Sequence, residues 1–560
     1  MKLTIGGKPV ALPLDGKISL ERSSPYLNED TGSFSYPFPV PTLPNQQHLG
    51  WPGNLNRTGD IADQSFILEA EGLQILLGEV GYDDITASEI GVILQSGHTE
   101  FTRKMEGLLL GDLDYGSEWW PVTNGLVIDM NTIRSKLAEW DAANTTDNGK
   151  YVLSPFRIKM SYAPTADLDV NKQFWPTGGN AATFFQYSYS HGAYHGQAYC
   201  LQFRIHFVLQ KIFESAGYTV LINELALSEF NKAIFYSNVI TLQIQTVSGI
   251  EMASPVMDVL RYAMLMPRID VLSFLRLVRD FFCLAYEINE LKKEVRIKFR
   301  KDIFLSDNLD AMQIRELAGW THSEKRATRG FSLRYTSQDS ELDTYTDWPD
   351  FVSVVTTLPA PRKENEILKL LYDRYFITVI NAANTLEWKE VGRLREYTVG
   401  EGENVIELSV RVPVQVKFQA SYLSTTWNLE CPSMPAIIRG SNDSFTQVPF
   451  LAITLYHGRK TFDGLGFPFA TFDRYSQDGT KDMGMSLKPA YLYETLYSRF
   501  LNWQTYRARY FTKYIELSLV QLSALQWGKR YMIGGVQVIL SKVNYDLPFD
   551  GKVKVEGYTV

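Results

Sequence analysis

Short runs of alternating apolar and polar residues recur along the chain and predict a protein made mainly of β-strands. Leu3 and Ile5 share one face of the first run, and GGKPVALP follows as a turn. Ile18 and Leu20 then return, which predicts a hairpin with the first run. The next segment, QSFILEAEGLQILLGEVGYDDITASEIGVILQSG, has short strands at regular intervals, which is typical of a small barrel or sandwich.

The stretch FSYPFPVPTLPNQQHLGWPGN, at residues 34–54, breaks this pattern with repeated prolines and aromatic residues. Proline lacks the N–H that a helix interior or a central strand needs, so neither element is expected here. The stretch is also too apolar for an ordinary flexible linker, because its aromatic side chains would be costly to leave in water.

Two segments in the middle of the chain have the periodicity of helices. YCLQFRIHFVLQKIFESAG predicts a helix over residues 199–217 that ends at Gly217. IDVLSFLRLVRDFFCLAYEI predicts a second helix over residues 269–283, capped by Asp270. This second helix has an apolar stripe at i, i+3 and i+4 spacing, formed by Val271, Phe274, Leu275, Val278, Phe281 and Phe282.

The period then changes to that of a β-hairpin over residues 284–300. Val295, Ile297 and Phe299 alternate with Glu294, Arg296 and Lys298, and the polar turn NELKK lies between the two arms. The helix and the hairpin therefore predict one compact module, in which the apolar stripe of the helix packs on Val295, Ile297 and Phe299.

The remaining segments complete an α+β assignment that is mainly β. Residues 101–180 are loop-rich, residues 320–460 read mostly as strands, and one more helix has Leu492, Leu496, Phe500 and Trp503 on a shared face. Gly534 and Gly535 predict a tight hairpin turn. We expect small β-barrel-like domains at both chain ends with helix-plus-hairpin modules between them. The predicted domains are a β-barrel-like domain at 1–88, an irregular β-rich insertion at 89–198, an α/β module at 199–318, a β-rich domain at 319–460 and a helix-plus-β domain at 461–560.

The composition is that of a folding chain without a basic face for nucleic acid. Of its 560 residues, 45% are hydrophobic and 21% are charged, and the net charge is −8. Cys200, Cys283 and Cys431 are widely spaced, so we expect reduced, mostly buried thiols in a protein made in a cytoplasm. We also expect neither a signal peptide nor a membrane-spanning helix.

No segment of the sequence has the motif of a P-loop, a dinucleotide site, a serine hydrolase or a zinc protease. The strongest metal-like cluster is SHGAYHGQAYC with His191, His195 and Cys200, followed by His206, and the alternative is a loop that leads into the helix. The neighbouring acids Asp83–Asp84, Glu341–Asp343 and Asp347–Asp350 are the candidates for a glycosidase pair, although such neighbours also arise by chance. Trp119 and Trp120 would stack on a sugar or, more simply, fill a core or an interface. We therefore expect no catalytic, cofactor-binding or metal-binding residues.

Five segments, in order, resemble tail-tip (baseplate hub) structural proteins of phages that infect Bacteroidetes. The first is SPYLNEDTGSFSYPFPVPTLPNQQHLGWPGNLNR at residues 24–57, which follows an N-terminal GGK hairpin. The others are ITASEIGVILQSGHTEFTRKMEGLLLGDLDYG, YCLQFRIHFVLQKIFESAGYTVLIN, LMPRIDVLSFLRLVRDFFCLAYEINELKKEVRIKFRKDIF and QWGKRYMIGGVQVILSKVNYD. Residues 320–480 have no clear counterpart in the family.

The resemblance implies a structural protein of the virion tail tip, assembled in the cytoplasm of a bacterial host. It implies a ring, a homotrimer in this family, that closes or extends the tail tube. Its neighbours would be the tail tube or a distal tail ring and the fibre, tip or spike proteins, and genomic DNA would pass through without specific binding. The proline-rich stretch would be an ordered arm anchored by Phe34, Tyr36 and Phe38, and a plain surface loop is the alternative.

Two other function classes stay open on the sequence alone. One is a tail-tip enzyme that degrades the cell wall, a peptidoglycan hydrolase or a peptidase. The other is a carbohydrate-binding protein, which only the aromatic content favours.

Overall fold

The structure is a computed structural model of the 560-residue chain. It describes residues 1–27, 33–47, 49, 64–119, 135, 137, 139–140, 149–160, 168–171, 173–176, 184–185, 189–191, 194–237, 239–247, 250–255, 259–289, 291–317, 321–326, 330–335, 367–369, 374–380, 383, 385–393, 396–400, 404–410, 414–420, 429–439, 450–462, 465–471, 487 and 489–560.

The two ends of the chain meet in one sheet, which we call the chain-end sheet. The strand Ile18–Ser23 pairs antiparallel with Val536–Leu547, so strands from the first hundred residues continue directly into strands from the last fifty. Apolar side chains from both ends form one hydrophobic cluster beneath it. The strands of this sheet are Lys2–Ile5, Lys8–Pro9, Ile18–Ser23, Ser33–Ser35, Phe38–Pro41, Ser65–Ala70, Leu73–Ile85, Glu89–Ser96, Leu309–Glu316, Thr321–Arg326, Arg509–Glu516, Arg530–Ile533, Val536–Leu547 and Lys552–Thr559.

Five of these strands close into a barrel. Each pairs with two others in the ring, and in ring order they are Leu309–Glu316, Arg509–Glu516, Lys552–Thr559, Val536–Leu547 and Arg530–Ile533. The turn between the last two is made by Gly534 and Gly535, both with positive φ, as predicted. One barrel strand, Leu309–Glu316, comes from the end of the segment that the sequence assigned to the α/β module. Its partners lie some two hundred residues later in the chain, so no local pattern indicates this pairing.

The hairpin predicted from Leu3 and Ile5 to Ile18 and Leu20 is wrong. The chain turns back earlier, because Gly6 and Gly7 both adopt positive φ and the return arm is the two-residue strand Lys8–Pro9. The other side of the first strand is occupied by Ser65–Ala70. Ile18–Ser23 instead lies between Ser33–Ser35 and the C-terminal strand Val536–Leu547.

The proline-rich stretch is described over residues 34–47 and at 49, and there it packs on its own sheet. Phe38 and Val40 are buried in the chain-end cluster, while Pro39 faces outward from a strand that pairs only with Glu89–Ser96 among the described strands. An edge strand tolerates proline because its outer side forms no ladder. Tyr36 is 47% exposed, so of the predicted anchors Phe38 is the buried one.

A buried amide fastens the end of this stretch. The side chain of Asn45 accepts a hydrogen bond from the Ala11 N–H (2.9 Å) and donates to the carbonyl oxygens of Ala11 and Pro41 (both 2.9 Å). Asn45 has no exposed surface, so all of its contacts are made inside the protein.

The predicted helix and hairpin pack together as one module, which we call the helix-hairpin module. The helix is Val271–Phe282, and the Asp270 side chain caps it by accepting from the Ser273 N–H (2.8 Å), as predicted. The hairpin strands are Leu284–Asn289 and Glu294–Phe299, and a third strand, Thr219–Asn223, runs parallel to the second of these. The helix stripe and the apolar hairpin residues Val295, Ile297 and Phe299 belong to the same buried cluster.

The helix predicted over residues 199–217 is shorter than expected. It spans Ile205–Ser215, because Tyr194–Tyr199 and Gln202–Phe203 are strands that pair with other segments. The last long helix buries Leu492, Leu496, Phe500 and Trp503, as their shared face predicts.

Apart from the helices already described, the helical segments are short, and the full set among the described residues is as follows. The α-helices are Thr42–Asn45, His98–Met105, Ile205–Ser215, Glu224–Leu227, Val271–Phe282, Pro489–Leu492, Ser498–Asn502 and Leu519–Ala524. The 3-10 segments are Leu110–Asp112, Glu229–Lys232, Tyr262–Leu265, Arg300–Phe304 and Ser306–Asn308, and wider π-helical turns occupy Tyr493–Tyr497 and Trp503–Arg507.

The rest of the described chain adds smaller sheets between the module and the chain ends. Their strands are Ser117–Trp119, Tyr151–Val152, Phe156–Met160, Leu168–Val170, Gln173–Pro176, Phe184–Phe185, Tyr189–His191, Tyr194–Tyr199, Gln202–Phe203, Ala233–Phe235, Leu242–Val247, Ile250–Pro255, Val259–Arg261, Gly330–Tyr335, Ile367–Lys369, Arg374–Ile380, Leu386–Arg393, Glu396–Gly400, Asn404–Leu408, Val414–Ala420, Leu429–Arg439, Ile453–Phe462 and Leu465–Thr471. The fold is therefore mainly β with few helices, which confirms the predicted class. Within the described residues no helix is both long and apolar enough to cross a membrane.

Candidate functional site

A cleft of about 440 Å³ lies between the helix-hairpin module and the chain-end sheet. The module contributes the end of its hairpin, and the other wall contains the end of the strand Ile18–Ser23 and residues 522–527, which begin within the helix Leu519–Ala524. The residues around the cleft are Arg22, Ser23, Pro25, Ser33, Ile75, Gly97, Glu287, Ile288, Asn289, Leu291, Lys292, Glu294, Arg296, Leu522, Ser523, Ala524, Leu525, Gln526, Trp527 and Tyr545. A volume of this size is in the usual range for a ligand site.

The wall on the chain-end side is built around Arg22. Its guanidinium donates to the carbonyl oxygen of Leu522 (3.1 Å) and lies 5.8 Å from the centre of the Trp527 ring. A guanidinium at this distance from an indole face makes a cation–π contact. These two contacts hold the strand Ile18–Ser23 against residues 522–527, so this wall is fixed in position.

The wall on the module side is the polar face of the hairpin. Glu287 lies directly opposite Arg296 in the ladder, and Glu294 lies opposite Asn289 at its end. The sequence identified Glu294 and Arg296 as the outward face of the hairpin, and the structure turns that face towards the cleft. The face is therefore not open surface, since residues 522–527 lie across from it.

A buried carboxylate fixes the hairpin turn at the rim of this cleft. Lys293, in the left-handed region at φ 53°, donates from Nζ to both carboxylate oxygens of Glu100 (2.8 Å each), and Lys104 donates to one of them (2.8 Å). Burial alone would raise the pKa of Glu100, but the hydrogen bonds from Lys104 and Lys293 outweigh it and lower that pKa. The turn is thereby tied to the helix His98–Met105, far from it in sequence.

A second carboxyl group anchors the base of the same hairpin. Glu224 accepts a hydrogen bond from the Phe299 N–H (2.7 Å) and lies beside Asp302. Burial, together with Asp302, raises the pKa of Glu224 to about 7. Burial raises the pKa of Tyr26, which is 1% exposed, and the nearby carboxylates Glu287, Glu224 and Asp302 raise it further.

A third carboxylate, Glu118, gathers hydrogen bonds from aromatic residues of the loop-rich region. It accepts from the hydroxyl groups of Tyr262 (2.6 Å) and Tyr151 and from the indole N–H of Trp140. Burial and the neighbouring carboxylate raise the pKa of both tyrosines, so their hydroxyl groups stay protonated and act as donors. This cluster ties together segments far apart in sequence.

The residues of the metal hypothesis do not form a zinc site where the structure describes them. His191 and His195 lie on the strands Tyr189–His191 and Tyr194–Tyr199, and their side chains are outside the described part. Burial raises the pKa of the Cys200 thiol to about 12, and the thiol donates to the Ser237 carbonyl oxygen (3.3 Å). Burial and the nearby Arg204 lower the pKa of His206 to about 4. A cysteine that binds zinc must be a thiolate and a histidine must be neutral, so the raised pKa of Cys200 disfavours it as a ligand. No group of three metal-ligating side chains occurs among the described residues.

The other candidate residues lie apart from the cleft or outside the described chain. Asp83 and Asp84 are exposed near the end of the strand Leu73–Ile85. Trp119 ends the strand Ser117–Trp119, whereas Trp120 and the pairs Glu341–Asp343 and Asp347–Asp350 are outside the described residues. Cys200 and Cys283 are buried, as predicted, and the side chain of Cys431 is not described.

The sequence did not predict the cleft, because its two walls come from distant parts of the chain. Arg22 and Trp527 show no pattern that links them, and only the pairing of the chain ends brings them together.

Comparisons with known proteins identify no family for this chain. No family model matches the sequence, and no curated protein matches it significantly. Among solved structures, the chain is similar to the 43 kDa tail protein of prophage MuSo2 from Shewanella oneidensis. That alignment covers 100% of this chain and 95% of the other, at 9% sequence identity and a TM-score of 0.31.

Proposed function

We propose that this chain is a structural component of a phage tail tip, a baseplate hub whose subunits form a ring. In this proposal the ring is a homotrimer that closes or extends the tail tube and connects it to host-recognition parts. Genomic DNA passes through the ring without specific binding. The observation that carries the proposal is the arrangement of the segments that resemble hub proteins.

Two of these segments lie at opposite ends of the sequence, at residues 24–57 and 526–546. Strands from both belong to the chain-end sheet, where Ser33–Ser35, Ile18–Ser23 and Val536–Leu547 are consecutive neighbours. The helix-hairpin module, which carries a third segment, packs beside this sheet across the cleft. Segments that resemble one family in sequence order thus form one continuous framework, which supports a common structural role.

Two exposed leucines, one within the proline-rich stretch and one in the segment bonded to it, support an assembly role. Leu43 is 82% exposed and Leu14 is fully exposed, and both lie in segments that Asn45 holds together through its hydrogen bonds to Ala11 and Pro41. Leucine side chains held outward by a rigid backbone lose little entropy when a neighbouring subunit covers them. We assign this surface to contact between subunits or with an adjacent tail protein.

The test is where the chain occurs and how it assembles. Mass spectrometry of purified particles should detect it, and antibody labelling in electron micrographs should mark the end of the tail. Light scattering of the purified protein should give the mass of three chains. The double variant Leu14→Ser with Leu43→Ser should assemble more weakly, while its melting temperature stays unchanged. Absence of the chain from purified particles would falsify the tail role. Clearing of host cell wall in a zymogram would instead favour the enzyme.

A further inference from the structure

The cleft between the module and the chain-end sheet has charged groups of both signs that are not paired with each other. Within the described residues, Arg296 and Lys292 form no ion pair, and neither do Glu287 and Glu294. All four belong to the hairpin and border the cleft. Arg296, Glu287 and Glu294 are half-buried, and Lys292 is exposed next to them. Half-buried charges without an ion pair in their own chain are incompletely compensated, so a ligand with the complementary charges would be favoured.

The same cleft has an apolar part. Trp527, Leu525 and Ile75 lie on the chain-end side, and Ile288 and Leu291 lie on the module side. Leu291 is 38% exposed at the mouth. An apolar side chain of a ligand would therefore find apolar neighbours on both walls, with the charged groups around it.

The hairpin also offers the cleft a strand edge. Leu284–Asn289 is the end strand of its sheet among the described strands, since it pairs with Glu294–Phe299 alone. The Arg300 N–H donates to the Cys283 carbonyl oxygen (2.9 Å), so Cys283 and Arg300 are a hydrogen-bonded pair of this antiparallel ladder. Hydrogen-bonded and non-hydrogen-bonded pairs alternate along such a ladder, and the pair of Ile288 with Val295 is of the second kind. The N–H and C=O of Ile288 therefore point away from the partner strand. Such groups can pair with an added extended chain.

We propose that this cleft binds an extended polypeptide segment of a neighbouring protein. The segment carries an acidic residue for Arg296 and Lys292, a basic residue for Glu287 and Glu294, and an apolar side chain that packs against Trp527. Mixed charge favours a polypeptide over nucleic acid, because the two glutamates repel phosphates that the cations would attract. The proposal rests on the tail role for the source of the segment, a protein of the same particle, whereas the binding chemistry is independent of that role.

The test uses the purified full-length chain and synthetic peptides that tile every other protein of the purified particle. Peptides that bind should contain both charge signs around an apolar residue, and their binding should weaken with added salt. Arg296→Gln and Glu287→Gln should each reduce the affinity of those peptides about tenfold or more, equivalent to about 1.4 kcal/mol. Arg315→Gln is the matched control, because the Arg315 side chain is 79% exposed and pairs with Glu516, outside the cleft. Thermal melts of all variants confirm folding, and Lys292→Gln replaces any cleft variant that fails to fold.

Two results would overturn the proposal. The first is that no tiled peptide binds, or that those that bind do so equally well to the Arg296→Gln variant. The second is equal or tighter binding of a single-stranded DNA oligonucleotide. If mass spectrometry finds the chain in particles while no peptide binds, the cleft proposal fails and the tail role stands. If the chain is absent from particles, the tail role fails separately.

Discussion

Leu20 lies directly opposite Tyr545 in the antiparallel ladder that joins the first strands of the chain to its last. Polar contacts reinforce this junction on either side. Ser19 donates to the Asp546 carboxylate (2.6 Å), and Glu21 accepts from Lys542 Nζ (2.7 Å). The two ends of the chain are thus one structural unit, and damage to one end should destabilise the other.

We expect Glu21→Gln to weaken this junction. The Glu21 side chain is 6% exposed and also accepts from the Tyr36 hydroxyl (2.8 Å), so its replacement leaves Lys542 without its charge partner in a partly buried setting. The expected loss of unfolding free energy is about 1–2 kcal/mol, measured by chemical denaturation. Glu69→Gln is the control, because the pair between Lys2 and Glu69 is exposed at 64% and 40%, and such pairs contribute about 0–1 kcal/mol. Equal losses in the two variants would show that Glu21 contributes no more to stability than an exposed ion pair does.

The helix-hairpin module should depend on its two adjacent phenylalanines. Phe281 and Phe282 have no exposed surface, and their ring centres are 4.8 Å apart. Phe281→Ala or Phe282→Ala should each cost about 3–5 kcal/mol, because a buried ring is replaced by a cavity. Arg296→Ala, on the polar face of the same hairpin, should change stability by only about 0.5 kcal/mol.

Thermal melts read together with the assembly state check this prediction. If both phenylalanine variants melt at the temperature of the wild-type protein, the packing of the module is contradicted. Loss of assembly with an unchanged melt for Arg296→Ala would show that a partner reaches the cleft, since Arg296 borders it.

The module could be predicted from the sequence because its determinants are local. The cap at Asp270, the apolar stripe of the helix and the alternation around Val295 all lie within thirty residues, and each uses a period that only one element type satisfies. The same reasoning failed at Ile18. A β-strand pattern shows that a residue belongs to a sheet but does not name the partner strand, and here the partner is Val536–Leu547.

Only one wall of the cleft could be predicted from the sequence. The alternation around Arg296 identified a polar hairpin face, but nothing local to Arg22 or Trp527 indicates that they lie on the opposite wall. Their approach follows from long-range strand pairing, which is set by the three-dimensional packing of the whole chain-end sheet. The Glu118 cluster was missed for the same reason, because its donors Trp140, Tyr151 and Tyr262 come from separate segments.

Two glycines of one strand should respond differently to the same substitution. A Cβ on Gly78 would lie 2.0 Å from the backbone oxygen of Gln95 on the neighbouring strand, whereas a Cβ on Gly81 would have its nearest neighbour at 3.7 Å. Gly78→Ala should therefore force the two strands apart and cost about 1–3 kcal/mol. Gly81→Ala should be close to neutral. Denaturation of both variants decides, and equal tolerance at the two positions would contradict the close approach of these strands.

Asn45 should control the order of the proline-rich stretch. Asn45→Ala removes three hydrogen bonds of 2.9 Å that the fully buried Asn45 amide makes with the backbone of Ala11 and Pro41. The expected cost is about 2–3 kcal/mol in denaturation, and Gln46→Ala, one residue later, is the control. Faster amide exchange around Ala11 in the Asn45 variant would locate the effect. An unaltered exchange pattern would show that the stretch is held by Phe38 and Val40 instead.

The carboxyl group of Glu224 should make the stability of the module depend on pH above pH 5. Burial, with Asp302 beside it, raises the pKa of Glu224 from 4.5 in the unfolded chain to about 7 in the folded one. The folded state therefore holds a proton that the unfolded state has released, and stability must fall as pH rises between these values. The contribution is fully present below about pH 4.5 and is lost as pH passes through 7.

The variant Glu224→Gln isolates this effect, because an amide imitates the protonated carboxyl group and does not titrate. It can still accept from the Phe299 N–H. We expect the thermal melting temperature of the wild type to fall relative to that of Glu224→Gln from pH 5 to pH 8. Groups with a lowered pKa, such as Glu100 and Glu556, lose their contribution as pH falls below their usual range, so they act in the opposite direction and outside this window. If the melting temperatures of the two proteins instead change in parallel across pH 5–8, Glu224 is ionised in the folded protein throughout this range. The negative charges of Glu224 and Asp302 are then compensated by Lys298 nearby and not by a shared proton.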